Sequence, residues 1–326
     1  VLVLSRSDVE ELLDLRALID ALADAMRDVS AGRASFPNRI AATVDDRDGV
    51  LAAMPAYAPQ AGALTAKLVT VFPHNGGTEL PTHQAVIAVF EPATGEPVAL
   101  VDGTSVTALR TGAGSALSTR MLARPDADVL AILGTGVQAR SHARTIPLVR
   151  EFREVRVAGR RRDAVAQLVQ ELEASGLPAR ACASYEEASA GASVVCATTH
   201  AVEPVVRHEW LSPGAHVTSV GFNPAGREVD DGTVAAARVF VEARSAALGA
   251  AFAGARDLTE PLAAGLLDES AIHELGEVLA GDAPGRRSDD ELTLYKSVGI
   301  GVQDAVAAAL VLSAARDRGA GRTIDL

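Results

Sequence analysis

Residues 130–140 read "LAILGTGVQAR". An apolar run stops at Gly134, Thr135 and Gly136, and a helix-forming stretch, "VQARSHARTIPLVR", begins at once. A buried-type strand that turns into a helix over two glycines opens a strand–helix–strand unit, and such units build parallel sheets. Gly134 permits the tight turn and Gly136 lets the backbone approach a ligand. Small Ala139, in the third place of the pattern, lets the helix pack closely on the sheet. The helix N-terminus offers amide N–H groups and partial positive charge to a pyrophosphate. The stretch reads as a dinucleotide loop because its surroundings agree: a strand before it, a helix after it, a second strand at the expected distance.

The texture on either side extends this reading. From about Asp126, strand-like "DVLAIL", "EVRVAG", "ARACA", "ASVVCAT", "AHVTSVG" and "ARVFVEA" alternate with helical segments such as "DAVAQLVQELEAS". Alternation of that kind predicts a Rossmann-type, doubly wound parallel sheet over residues 124–298. Earlier in the chain, "RIAATV", "GVLAAMPAY", "LTAKLVTVF", "QAVIAVF" and "PVALVDG" are separated by turn clusters such as "DDRDG" and "PATGE". They predict a mostly antiparallel sheet, followed by a helix, "SVTALRTGAGSALSTRML". The first thirty residues read as helix, with Ser7 and Glu10 as a capping box, Leu12, Leu15, Ile19, Leu22 and Met26 at helical spacing, and Gly32 as the stop. The last helix, from about Gly299, is expected to return to this first domain. The whole is α/β, with an α+β domain (1–123 plus 299–326) and the dinucleotide domain. "GDAPGRRSDD" (281–290) reads as a mobile loop near their junction.

Composition narrows the function classes. A length of 326 residues suits two domains, and 48% hydrophobic residues can fill two cores, although only 3% are aromatic. The formal charge of -12 argues against nucleic acid or an anionic membrane as partner. "AVAAALVLSAA", from Ala305, is too short to span a bilayer. "VLVLSRSDVEELLD" lacks the features of a signal peptide. Cys182 and Cys196 have no metal or redox spacing and read as buried free thiols of a reducing compartment, the cytoplasm.

The second strand of the dinucleotide domain, "VRVAGRRRD", bears on the nucleotide. An acidic residue at this strand end accepts from the ribose 2′-OH of NAD. Here the strand ends at Gly159, followed by Arg160, Arg161 and Arg162. Guanidinium groups bind a 2′-phosphate by charge-assisted bonds. NADP(H) is therefore expected over NAD(H), which stays possible, with Arg160 as the leading contact; the other reading is a solvated turn without selectivity. Asp163 reads as the N-cap of the next helix.

Candidate chemical groups lie in the first domain. No metal site is visible: no HExxH pair and no Cys/His cluster at zinc spacing. No G-x-S-x-G elbow is present. Lys67 interrupts "GALTAKLVTVF", Arg110 sits in "VTALRTGAG", and Arg39 precedes "IAATV". A lysine inside an apolar strand needs an anionic partner. Three such cations suit a substrate carboxylate, and they equally suit structural ion pairs or surface snorkelling. Of the histidines, His74 reads as a solvated loop residue and His142 as structural; His83, in "PTHQ", is the better placed of the two first-domain histidines.

These residues lie in phrases that resemble the ornithine cyclodeaminase/mu-crystallin family. The phrases are "MPAY" (54–57), "TAKLVTVFP" (65–73), "PTHQAV" (81–86), "VDG" (101–103), "TALRTGAGSA" (107–116), "ILGTGVQA" (132–139), "WLSPGAHVTSVG" (210–221), "REVDD" (227–231), "LGEVLAG" (275–281) and "KSVGIGVQDAVAA" (296–308). They run in order over nearly the whole chain. The resemblance implies a homodimer, each subunit pairing an α+β substrate and dimerisation domain with the dinucleotide domain. It implies that Arg39, Lys67 and Arg110 bind a substrate carboxylate and that Thr111 contacts phosphate. It implies that Gly134, Thr135, Gly136, Val137 and Gln138 form the pyrophosphate loop, and that Val220, Gly221, Ser297 and Gly299 line the nicotinamide pocket.

Two positions depart from the cyclodeaminase branch. Its Glu before the Met-Pro step is Ala52 or Ala53 here, and its catalytic Asp after the Val-Gly is Asn223. An amide cannot serve as a carboxylate base, so the departures weaken the case for ornithine. What the resemblance implies is hydride transfer between nicotinamide and the α-carbon of an amino or imino acid. The expectation is an NADPH-dependent reductase of α-imino acids, either cyclic ketimines or imines of a 2-oxo acid and an amine. Lys67 is then carboxylate ligand and proton relay, and Asn223 orients the nitrogen. The alternatives are an oxidative ornithine cyclodeaminase or alanine-type dehydrogenase, and a non-catalytic NADPH-linked binding protein.

Overall fold

The alternating segments between Arg39 and Asp102 fold as strands. In the computed structural model, which describes residues 1–76, 78–249 and 254–325, the chain divides into two compact units. One comprises Val1–Arg110 with Gly299–Leu326, the other Thr111–Val298.

The first unit is built on a seven-stranded sheet. Its strands are β1 (Leu2–Leu4), β2 (Ile40–Val44), β3 (Gly49–Ala58), β4 (Ala63–Val71), β5 (His83–Phe90), β6 (Pro97–Asp102) and a short final strand, Arg322–Thr323. The order is final strand, β1, β6, β5, β4, β3, β2. β2 to β6 form an antiparallel meander, and β1 joins β6 in parallel.

Register sorts the side chains between the two faces, because they alternate along each strand. Met54, Lys67, Ile87 and Val101 stand opposite one another across β3 to β6, and all four are buried. One residue along, Ile40, Ala53, Leu68 and Val86 form a row on the other face. Ile40, Leu68 and Val86 of that row are exposed. The C-terminal helix Gly301–Arg318 packs on β3, β4 and β5 and covers the first face.

The N-terminal helix of the sequence reading is two helices, α1 (Arg6–Leu12) and α2 (Leu15–Ser30). The capping box falls at Ser5 and Asp8 rather than Ser7 and Glu10. Ser5 Oγ accepts from the Asp8 amide at 3.3 Å, and the Ser5 amide donates to the Asp8 carboxylate at 2.7 Å. The chain enters from β1, which places the cap two residues early. Asp14 breaks the helix and caps α2, accepting from the amides of Arg16 and Ala17. Leu18, Ile19, Leu22 and Met26 form its buried stripe.

Helix α3 (Gly103–Leu122) begins in the first unit and ends in the second. The division falls at Arg110/Thr111, earlier than residue 123, because the later half of α3 packs against second-unit residues. A Cβ on Gly112 would lie 2.5 Å from Ser141 Oγ, and Ser115 Oγ is 2.8 Å from His142 Nε2.

The second unit carries an all-parallel, eight-stranded sheet. Its strands are β7 (Val129–Leu133), β8 (Glu154–Ala158), β9 (Ala179–Ala181), β10 (Val194–Ala197), β11 (His216–Ser219), β12 (Arg238–Val241), β13 (Ile272–Glu274) and β14 (Thr293–Lys296). The order is β13, β12, β14, β11, β10, β7, β8, β9. Strand order reverses between β7 and β10, the crevice where doubly wound sheets bind ligands. β7, β10 and β11 are buried throughout, as a sheet covered on both faces requires. The sequence reading stopped short of β13 and β14 as strands.

Helices α4 (Val137–Thr145) and α5 (Arg162–Ala174) follow β7 and β8. The N-cap of α5 is Arg161, not Asp163; Asp163 lies inside the first turn, where its charge favours the helix N-terminus. The 281–290 segment is tied down rather than loose. Arg286 donates to the carbonyls of Leu122, Ala215 and Glu291 and to Thr293 Oγ1. Cys182 and Cys196 are free and buried. Among the described residues, no helix is long and apolar enough to cross a membrane.

Candidate active site

Lys67 stands at the middle of β4 on the covered face, 2% exposed. Its partner is Asp304, in the first turn of the C-terminal helix and 0% exposed. Lys67 Nζ donates to Asp304 Oδ2 at 2.6 Å, and Arg110 Nε donates to Asp304 Oδ1 at 3.0 Å. One carboxylate thus holds two cations, each on its own oxygen. Gln303 Oε1 accepts from Arg110 Nη1 at 3.3 Å. The Gly299 carbonyl accepts from Arg39 Nη2 at 2.9 Å.

Gly299 has φ +70°, and a Cβ there would lie 2.5 Å from Arg110 Nη1, so a side chain at this position would be strained and would displace the guanidinium. One short stretch, 299–304, therefore engages all three cations that the sequence singled out. Gly299 itself lies against Arg39 and Arg110. Lys67 and Arg110 share the one Asp304 carboxylate, two cations against one anion.

Burial pushes the Lys67 ammonium down to about 8; Asp304 opposes the shift, and Arg110 and Arg39 add to it. Burial acts to raise the Asp304 carboxyl, but Arg110 and Lys67 outweigh it and hold the group below its usual value. The ion pairs and the apolar cover together set both groups.

In the second unit, Gly134 ends β7 with φ +123°, and a Cβ there would lie 2.7 Å from Thr198 Oγ1 at the end of β10. Gly136 is the N-cap of α4 without any side-chain cap bond, and a Cβ built on it meets nothing within 4 Å. The first-turn amides of α4 thus open onto free space. Gln138 Oε1 is buried without a hydrogen-bond partner, and Val137 is exposed. A Cβ on Gly159 would lie 2.9 Å from Thr135 Cγ2, which sets the end of β8 against the loop. Arg160 and Arg161 beyond it are exposed. An uncapped helix start, an unsatisfied buried acceptor and glycines at the close approaches fit a dinucleotide. Thr111 is buried early in the second-unit half of α3.

The loops after β10, β11 and β14 are pinned by buried charges that the sequence reading passed over. Glu228 accepts from Thr199 N (2.5 Å), Thr199 Oγ1 (2.8 Å), Ser219 Oγ (2.8 Å) and Gly221 N (2.7 Å). Lys296 Nζ donates to Ser219 Oγ and the Gly221 carbonyl and pairs with Asp257 at 2.8 Å. Ser297 Oγ donates to Glu242 at 2.5 Å. Val220, Gly221 and Ser297 are held on this framework. The signal was present: Lys296 ends "LTLYK" and Asp304 interrupts "GVQDAVAAAL", as Lys67 interrupts its own apolar run.

Asn223 is bonded within its own loop region. Its Nδ2 donates to the His200 carbonyl at 3.1 Å and its Oδ1 accepts from the Ala225 amide at 2.9 Å. Both ends of the amide serve its own loop. Burial pushes the His142 imidazole down to about 4; its Nδ1 lies 2.7 Å from the Gln138 carbonyl and its Nε2 bonds Ser115, a structural link between α3 and α4. His74 is exposed, 3.3 Å from the Asp48 carboxylate, and His83 is exposed at the start of β5. Among the described residues, no group of three or more His, Cys, Asp or Glu side chains is arranged to hold a metal ion.

A doubly wound sheet with a glycine loop at its switch point, and a separate α+β unit with a buried cation cluster, define a two-unit protein of the dinucleotide-binding class. The model of the ornithine cyclodeaminase/mu-crystallin family matches residues 1–319, and the chain belongs to that family. Ketimine reductase mu-crystallin of Mus musculus is 38% identical over 276 residues, 84% of this chain and 83% of that one. Among solved structures, Δ1-pyrroline-2-carboxylate reductase of Thermococcus litoralis, in complex with NADH and L-proline, is 34% identical. The match covers 99% of this chain and 100% of that one, with a TM-score of 0.95. An archaeal alanine dehydrogenase dimer with bound NAD is 30% identical over 99% of this chain and 98% of that one, with a TM-score of 0.91.

Proposed function

We propose that this protein is an NAD(P)H-dependent oxidoreductase that reduces the C=N bond of an α-imino acid, either a cyclic ketimine or the imine of a 2-oxo acid and an amine. The observation that carries the reading is the buried Lys67–Arg110 pair on the single Asp304 carboxylate, with half-buried Arg39 acting on the same lysine, a set of cations suited to an anion. A substrate carboxylate supplies that charge. Arg39 and Arg110 hold it through charge-assisted bonds and so fix the α-carbon. When bound, the reduced nicotinamide supplies a hydride to that carbon. Lys67 gives the nitrogen its proton: an ammonium near 8 is mostly protonated at neutral pH and still yields its proton readily. The C=N bond becomes CH–NH, and the lysine is reprotonated from solvent. Asn223 is given no part in the proton transfer.

Gly134, Thr135, Gly136, Val137 and Gln138 hold the pyrophosphate in this reading, with Thr111 as a further phosphate contact. Val220, Gly221 and Ser297 flank the nicotinamide. Arg160 and Arg161 select NADPH over NADH by pairing with the 2′-phosphate. The names of the mouse and Thermococcus relatives support imine reduction, although the Thermococcus complex holds NADH. The exposed Ile40–Leu68–Val86 row supports a homodimer through this sheet face, as does the dimeric state of the alanine dehydrogenase. Two free buried thiols support a cytoplasmic setting.

Purified protein with NADPH or NADH, offered cyclic imino acids and 2-oxo acids with ammonia or methylamine, tests the reading. Consumption of NADPH with a cyclic imino acid supports it, and absence of consumption across the panel overturns it. The alanine dehydrogenase likeness favours a second reading, oxidative deamination of an amino acid. Ammonia release from alanine with reduction of the oxidised cofactor, without imine reduction, distinguishes that case.

A further inference from the structure

The positions of Lys67 and Arg110 both depend on one residue outside the substrate-binding set. We propose that Asp304 is a positioning residue for the reaction: it holds the Lys67 ammonium on one carboxylate oxygen and the Arg110 guanidinium on the other, keeping the lysine protonated and placed while Arg110 faces the substrate carboxylate. The inference rests on the imine-reductase reading of the same site.

The geometry is specific. Asp304 is fully buried, and its two oxygens have different partners at 2.6 and 3.0 Å. Arg110 places Nε on Asp304 and Nη1 on Gln303, and its Nη2 takes no part in either bond. A planar guanidinium held at two of its nitrogens keeps its remaining donors in a fixed plane. Gln303 is fixed in turn, since its Oε1 also accepts from the Ile300 amide at 3.1 Å. The first turn of the C-terminal helix is thus a template that orients the anchor.

The groups facing the Lys67 amine are Asp304 from the C-terminal helix, Arg110 and the Thr107 hydroxyl from α3, and Arg39 from the segment before β2. Burial and both arginines drive the proton off the amine. Asp304 is the single charge that retains it, and an asparagine there removes the charge at nearly constant shape. Its amide can still accept from Lys67 or from Arg110, but its NH2 group repels the other.

Asp304→Asn tests the inference. The pH profile of kcat/KM for cyclic imine reduction is predicted to keep its form while its alkaline limb moves down by about one pH unit or more. An unmoved limb, with a rate lowered equally at every pH, overturns the proposal. Binding of pyrrole-2-carboxylate, measured by calorimetry against pH in wild type and variant, provides a readout free of turnover. The pH at which its affinity weakens is predicted to fall in the variant, and coincident curves overturn the proposal. If wild type binds this carboxylate but reduces no imine, the functional reading fails while the binding curves still decide the role of Asp304. Should Asp304→Asn not fold, Asp304→Glu keeps the charge and displaces it. Its kcat is predicted to drop about 10-fold or more with the limb unmoved, and wild-type kcat overturns positioning.

Discussion

Asp304 and Lys67 are separated by 237 positions in the chain, yet their charged atoms lie 2.6 Å apart and neither is open to solvent. The contact joins β4, an inner strand of the first unit's sheet, to the helix that covers it. Charges that are costly to bury sit where the substrate carboxylate is proposed to bind, so the cost of holding them and the capacity to act on a ligand have one origin.

Replacing Lys67 by Met keeps the length of the side chain and removes the donor. Turnover is predicted to fall by about 10²- to 10⁴-fold, the range that general acid catalysis supplies. Binding of NADPH, followed by its fluorescence, is predicted to stay near wild type. The wild-type rate is predicted to decline as pH rises through about 8, because the protonated lysine is the active form and burial lowers it to that value. Near-normal turnover of Lys67→Met removes the lysine from the mechanism.

Cofactor choice is predicted to rest on Arg160. Arg160→Ala should raise the KM for NADPH by about 10-fold or more, the size of a lost charge-assisted phosphate bond, with little change for NADH. The ratio of kcat/KM values for the two cofactors reads this directly. An unchanged ratio leaves Arg160 as a solvated turn residue.

The outward sheet face makes a separate prediction. Leu68 lies in register with Ala53 on one side and Val86 on the other, and it is exposed in a single subunit. Leu68→Arg places charge in the middle of that row. Light scattering is predicted to report a dimer for wild type and a monomer for the variant at low micromolar concentration. A wild-type monomer refutes the proposed interface.

Two buried histidines bear on acid stability. Burial pushes His142 to about 4 and His216 to about 3; His216 lies between Ser118 Oγ at 3.2 Å and Thr293 Oγ1 at 2.9 Å. Each is depressed in the folded state, so its contribution is present above the ordinary imidazole value near 6.5 and is lost as pH falls toward 4 and 3. Each is worth on the order of a few kcal/mol over that interval. His142→Gln is predicted to lower Tm at pH 7 but to flatten its fall between pH 6.5 and 4. A parallel fall in both proteins contradicts this.

Much of the fold was legible in the chain because its strands announce themselves by period and by turn residues. The antiparallel strands around Lys67 and the β7–loop–α4 unit fell where the residues pointed. β13 and β14 were passed over, since "IHE" and "TLYK" are too short to show a period. The α1 cap slipped by two residues because Ser5 and Ser7 present the same local chemistry, and β1 decides between them. The site was half legible. Lys67 and Arg110 stood out as cations in apolar runs, but pairing a cation with its anion across 194 or 237 positions is a tertiary fact. Asp304, Glu228, Asp257 and Lys296 obey the same rule and could have been singled out by applying it to carboxylates and to the ends of strands. The sequence did not show that the Asn223 amide is also bonded by its own turn, a local competition common for short polar side chains.

The most direct measurement follows the hydride. Δ1-Pyrroline-2-carboxylate would be reduced by the protein with NADPH carrying deuterium at the transferable C4 position, and the proline formed would be examined by proton NMR. The account predicts stoichiometric deuterium at the α-carbon, lost together with turnover in Lys67→Met. NADPH consumption without label at that carbon, or no proline at all, would contradict it.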